Sequence, residues 1–185
     1  MRSLQAKFEQ LEDLLVNHRQ TLAQNTGVPF VRLVYQPDEE NECRRLYETL
    51  ARALAQRHVA VNTVSCRGAI FVHYEARGRL DQLFELEQTD PARLQAGMAR
   101  HARQELEQRL EQAILSLNGD GIIFVVDAAF VYPYFQLDSV LDAITNRVIP
   151  PMALVVFYPG EVNVDGQLMF LGQRPSGYYR TRDLI

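Results

Sequence analysis

The sequence predicts a three-layer α/β domain: a mainly parallel sheet with helices on both faces. Three observations carry this. Short apolar runs alternate along the chain with longer amphipathic segments, the pattern of strands joined by crossover helices. The runs Ile122 to Val126 and Met152 to Phe157 contain no polar residue, as expected of strands buried on both sides. No repeat, low-complexity stretch or Pro/Gly/Ser linker divides the 185 residues, so residues 1–185 are expected to form one domain.

The elements follow in order. Leu4, Phe8, Leu11, Leu15 and Leu22 recur at helical spacing after Ser3, a capping residue, and the pattern fades by Asn25-Thr26-Gly27. Val28 to Tyr35 reads as a strand, with Pro29 tolerable near its start. Pro37-Asp38 then makes a turn and N-cap. The acids Glu39, Glu40 and Glu42 suit the first turn of a helix over Glu39 to Arg57, which buries Leu46, Leu50, Ala53 and Leu54. Val59 to Ser65 is a second strand, and Ala69 to Glu87 gives two short helices interrupted near Gly78.

Asp90-Pro91 is a strong helix start, because a carboxylate can cap and proline fits the first helical position; that helix runs to Leu117 and stops at Asn118-Gly119. Gly121 to Asp127 is a buried strand, Gln136 to Ile144 a short helix and Met152 to Tyr158 another buried strand. Val164-Asp165-Gly166 turns the chain into an outer strand at Gln167 to Leu171, and Tyr178 to Asp183 makes a last one.

Composition narrows the function. A hydrophobic share of 47% with 23% charged residues matches a globular core and excludes disorder. Nineteen Lys+Arg against 23 Asp+Glu leave a net charge of −4, which argues against non-specific nucleic-acid binding, since neutralising phosphates needs a cationic surplus. The apolar runs are far shorter than the roughly 18 to 20 residues that cross a bilayer, and Met1 to Gln10 lacks a signal core, so a cytoplasmic protein without membrane contact is expected. Cys43 and Cys66 match no metal spacing and read as buried or inert thiols. Lys7 is the only lysine and sits in the opening helix pattern, away from any glycine-rich loop.

In open parallel sheets, ligands bind beyond the carboxyl ends of the strands. Those ends offer Tyr35, Asp38 and Glu39, then Asp127, Tyr132 and Tyr134, then Tyr158, Gly160 and Glu161. The apolar strand ending at Asp127 resembles the magnesium-holding strand of nucleotide hydrolases. However, Gly-x-x-x-x-Gly-Lys is missing, so the layout is Rossmann-like or P-loop-like without a phosphate-binding loop. Asp38, Asp127 and Glu161 could hold a hard divalent cation if they converge, which would make a metal-dependent nucleotidase or nuclease. His18, His58, His73 and His101 are scattered, and no Gly-x-Ser-x-Gly elbow occurs. No cofactor fingerprint is present.

Phe130-Val131-Tyr132-Pro133-Tyr134-Phe135 concentrates aromatic rings in a loop beyond a buried strand, where they must find either core or partner. Gly177-Tyr178-Tyr179-Arg180-Thr181-Arg182 poses the same question, with Arg174 adding local charge. Direct DNA contact through Arg174, Arg180 and Arg182 is a further alternative, with salt-sensitive binding as its signature.

The blocks Phe124-Val125-Val126, Val131-Tyr132-Pro133-Tyr134, Val156-Phe157-Tyr158-Pro159-Gly160, Gly166-Gln167-Leu168, Phe170-Leu171-Gly172 and Tyr178-Tyr179-Arg180, in that order, resemble the BrxB family of BREX bacteriophage-exclusion systems. Upstream the likeness is looser, resting on Pro29-Phe30, Tyr35-x-Pro37 and Leu83 to Glu87. The family often has a glycine-rich, acidic turn after the third strand, where this chain has Asp127-Ala128-Ala129-Phe130. The resemblance implies a component of a phage-resistance island that also encodes a methyltransferase, a large ATPase and a PglZ-type protein. The expectation is a non-catalytic assembly or adaptor protein that binds the PglZ-type partner, with Tyr132, Tyr134, Tyr158, Tyr179 and Arg180 as contact residues; a homodimer stays open.

Overall fold

The computed structural model describes residues 2–132, 134–176 and 180–185, with elements in the order expected from the apolar pattern. Helix α1 (Leu4–Asn17) starts where the Ser3 side chain accepts from the Ala6 amide, and it buries Leu4, Phe8, Leu11 and Leu15 along one stripe. It ends before Leu22, at His18; a 3₁₀ turn over Arg19–Thr21 and the one-turn helix α2 (Ala23–Thr26) follow, closed by Gly27 at φ +79°. Strand β1 (Phe30–Tyr35) leads to a 3₁₀ turn, Pro37–Glu39, and helix α3 (Glu40–Gln56). The expected N-cap at Asp38 is corrected. Because the turn begins with Pro37 in its first position, the cap falls to Gln36, which forms a reciprocal capping box with Glu39, and Asp38 is left exposed.

Strand β2 (Val61–Ser65) precedes α4 (Cys66–Glu75), α5 (Leu80–Thr89) and α6 (Pro91–Ser116). Gly78 breaks the first pair of helices at φ +62°, and Asp90 caps α6 by accepting from the Arg93 amide at 3.1 Å. Strand β3 (Ile122–Val126), a 3₁₀ turn over Ala128–Val131 and α7 (Leu137–Ile144) come next. Strand β4 (Ala153–Val162) runs four residues past the expected end at Tyr158, because its tail pairs with β5 (Leu168–Phe170). Gly160 makes this pairing possible, since a Cβ there would lie 2.5 Å from the Met169 carbonyl. Strands β6 (Arg174–Pro175) and β7 (Arg182–Leu184) complete the set. The last strand thus begins later than Tyr178, which with Tyr179 lies outside the described residues.

The main sheet has the order β2-β3-β4-β1-β7, parallel throughout, with β5 and β6 added antiparallel at the end of β4. Side chains alternate between two cores. Ala153, Val155 and Phe157 of β4 face α1 and α3, whereas Leu154, Val156 and Tyr158 face α4, α6 and α7. The chain moves from β1 to β2 through α3 on one face and returns through β3 to β4 along the other face. That pairing of direction and face keeps every crossover the same hand. The loops after β1 and β3 therefore leave toward opposite faces, and the crevice between them opens at the carboxyl end of β4. Among the described residues, no helix is long and apolar enough to cross a membrane.

Candidate functional site

The crevice is bridged by the protein's own side chains. Asp127 follows β3 in the left-handed conformation at φ +57°, and the pairing of Ser65 with Val126 brings the end of β2 beside it. The Ser65 hydroxyl donates to the Asp127 carboxylate and accepts from the Gly68 amide at 3.0 Å, so one group caps α4 and orients the acid. From the opposite face, Arg44 of α3 donates to the other carboxylate oxygen at 2.9 Å. A buried carboxylate needs such partners, and here both come from within the chain.

The structure does not gather the three acids named as metal ligands. Asp38 and Glu161 are exposed, Glu161 lies on the β4 tail opposite Met169, and Asp127 is already engaged. Among the described residues, no group of three His, Cys, Asp or Glu side chains is placed to hold a metal ion.

Most polar groups beneath α3 are also satisfied internally, although Arg44 Nε is buried without a hydrogen-bond partner among the described residues. The Tyr35 hydroxyl donates to Glu40, and burial together with that bond pushes its phenol far above the ordinary value. Burial raises the thiols of Cys43 and Cys66, keeping them protonated and weakly nucleophilic. Tyr47 is pushed up to about 12, first by burial and then by the charge of Asp127.

On the α4–α7 side the same edge is open. A shallow groove runs between the loop before α7 and the β5–β6 hairpin, with Tyr132, Leu137, Phe170 and Arg174 along its walls. Tyr158 is its floor. Only 3% exposed, it packs on Phe170 with ring centroids 4.9 Å apart, and burial raises its phenol against the opposing pull of Ser176 and Arg32. The Arg32 guanidinium sits 5.0 Å from the Tyr158 ring centre, donates from Nε to Asp183 at 2.9 Å and from Nη1 to the Ser176 hydroxyl at 2.6 Å. One arginine thus ties β1 to β7 and to the segment after β6.

The rim of the groove carries two half-exposed rings, Phe130 and Tyr132, each 37% exposed. Arg67 lies 5.8 Å from the centre of the Phe130 ring, which also meets Phe71 edge-on at 5.9 Å. Arg174 lies 5.5 Å from the centre of Tyr132. Such contacts hold a ring flat without hiding it. Tyr134 turns away from this rim and is half-buried against a cluster formed by α4, α5 and α6. Arg180 is exposed, and Tyr179 lies outside the described residues.

Sequence reasoning missed Arg32 and Arg67. The first had a usable signal: a single charge inside the apolar strand Phe30–Tyr35 demands a counter-ion. The second had none, because its ring partner is 63 positions away in the chain (130 − 67).

Comparison with curated proteins returns no match, and comparison with solved structures returns none. A family model described as BREX protein BrxB matches residues 68–184, the span from α4 to β7 that holds the groove, both rim rings and the strands beneath them. This match covers more than half of the chain, so the protein belongs to the BrxB family and is a component of a BREX phage-defence system.

Proposed function

We propose that the chain is a non-catalytic assembly component that docks the PglZ-type protein of its BREX system through the aromatic rim at the carboxyl edge of the sheet. One observation carries this reading: Phe130 and Tyr132 stay half-exposed while Arg67 and Arg174 hold their rings in place. Rings and guanidinium groups dominate binding energy at protein interfaces, and a ring immobilised in advance loses little entropy on docking. The crevice supports the same reading. Where an α/β enzyme receives substrate, this chain places Arg44, Asp127 and Ser65 on one another.

The test is co-purification from the intact operon with this chain as bait. Tyr132→Ala and Arg174→Ala should each weaken recovery of the PglZ-type protein, by about 2 kcal/mol if either residue is central to the contact. Unchanged recovery with variants whose circular dichroism and melting are normal would remove the rim from the interface. Turnover of a nucleotide or nucleic acid by the pure chain, abolished by Asp127→Asn, would replace the docking reading with a catalytic one.

A further inference from the structure

Strands β2 and β3 are neighbours, and joining them requires only one crossover helix. This chain uses three, α4, α5 and α6, the last of 26 residues. The additional helical surface packs around its own cluster, Ile70, Leu83, Leu94, Met98 and Ala102, distinct from the two cores against the sheet. Closing the sheet does not account for it.

Between α5 and the first half of α6 lies an open groove of about 180 Å³ whose floor is Leu83, Leu86, Leu94 and Met98. Arg79 and Arg93 stand exposed at its edge. No ion pair among the described residues engages either guanidinium, and no acidic side chain lines the groove. Gly97 sits inside α6, where glycine costs roughly 1 kcal/mol of helix stability relative to alanine. A Cβ at Gly97 would meet nothing within 4 Å, so the chain itself does not require the missing side chain. A bare stretch of helix beside an apolar floor suits the close approach of something from outside.

We propose that this groove docks an amphipathic helical segment of a partner protein. The segment's apolar ridge fills the floor over Gly97, and its flanking carboxylates pair with Arg79 and Arg93. The charge of the edge selects an acidic occupant, and the shape of the floor selects one with apolar residues three and four apart. The site does not depend on the rim at Phe130 and Tyr132, so either can fail alone.

The experiment uses overlapping peptides that span the other proteins encoded with this chain, arrayed and probed with the intact protein. The bound peptides should combine apolar residues at helical spacing with Asp or Glu on the flanks. In solution, anisotropy of the best labelled peptide should show affinity reduced by about tenfold or more in Arg79→Glu/Arg93→Glu and in Gly97→Leu. It should weaken in raised salt and remain unchanged in Tyr132→Ala. The charge reversal lies at exposed positions, so it keeps the test decisive if Gly97→Leu does not fold. Capture of no peptide, capture of basic peptides, or an affinity indifferent to the charge reversal would overturn the proposal. Binding of a DNA duplex through the same arginines, unaffected by Gly97→Leu, would also overturn it.

Discussion

The two faces of the sheet solve the same burial problem differently. Under α1 and α3 most polar demands are met inside the chain: the Lys7 ammonium, buried, donates to the Val34 carbonyl at 2.7 Å, Tyr35 donates to Glu40, and Phe157 is surrounded by Phe8, Tyr47 and Phe124, while Arg44 Nε is left buried without a partner among the described residues. The α4–α7 side leaves Val72, Phe84, Leu115, Phe130 and Tyr132 exposed, whereas α1 and α3 contribute no exposed large apolar residue. The family match begins at residue 68, so it spans the elaborated helices except the first two residues of α4, and only part of the sheet they cover. The face that buries its large apolar side chains is the self-contained one; both proposed docking surfaces lie on the face that leaves rings exposed.

The sharpest way to break this contrast is to truncate one ring on each side. Phe157→Ala removes the centre of an aromatic group packed at centroid distances of 5.2 to 5.7 Å and should cost about 4 kcal/mol, as large cavities do. Phe84, 49% exposed on α5, should cost under about 1 kcal/mol when changed to Ala. Urea denaturation measures both. Similar losses would mean that the α5 surface is load for the fold, which would end its assignment as free docking area.

How much of this was legible depended on whether the deciding contact was local. The run Ile122 to Val126 announced a doubly buried strand because every side chain in it is apolar. The cap of α6 could be read from Asp90-Pro91, since capping acts over three residues. The tail of β4 could not, because Glu161 and Val162 join the sheet only through β5, which arrives after a turn. Two-residue β6 carries no period at all. The metal trio failed for a similar reason. Sequence shows an acid at a strand end but not the Arg44 guanidinium that comes across the crevice to meet it. The aromatic loop was visible as a cluster, yet its division into an outward Tyr132 and an inward Tyr134, above the buried Tyr158 of β4, depends on which helices lie beneath.

The next effect comes from protons and draws on both faces. Cys43 packs under α3 and Cys66 under α4, and burial raises both from 9.0. Their native values exceed the unfolded ones, so their contribution is complete below pH 9 and is lost as pH rises further, by up to about 1.4 kcal/mol per thiol per pH unit. Tyr35 joins above its unfolded value of 10.0. Lys7 opposes them. Burial lowers its value below 10.5, so the unfolded chain binds more protons in that window and stability rises with pH from this group alone. The raised phenols of Tyr47 and Tyr158 act in the same direction as Tyr35 above pH 10, so several losses against the one gain from Lys7 predict a net fall beginning near pH 9. In Cys43→Ala/Cys66→Ala the onset should move toward pH 10, read from urea midpoints across pH; an onset that stays in place would show that neither thiol titrates in the unfolded chain first.

The smallest effect bears most directly on the proposed groove between α5 and α6. In Gly97→Ala the new methyl finds open space and the helix loses a flexible residue, so the fold should gain about 0.5 to 1 kcal/mol. By the usual scaling for a chain of this size, melting should rise by about 1 to 4 °C in calorimetry. On the opposite face such a gain is harder to find, because its side chains already fill the space between α1, α3 and the sheet. A fall in melting temperature would mean that the Gly97 groove closes in solution, and the unfilled side of the molecule would then be packed like the other. A rise accompanied by weaker peptide binding would show that stability was left unclaimed at this position where a second helix comes to lie.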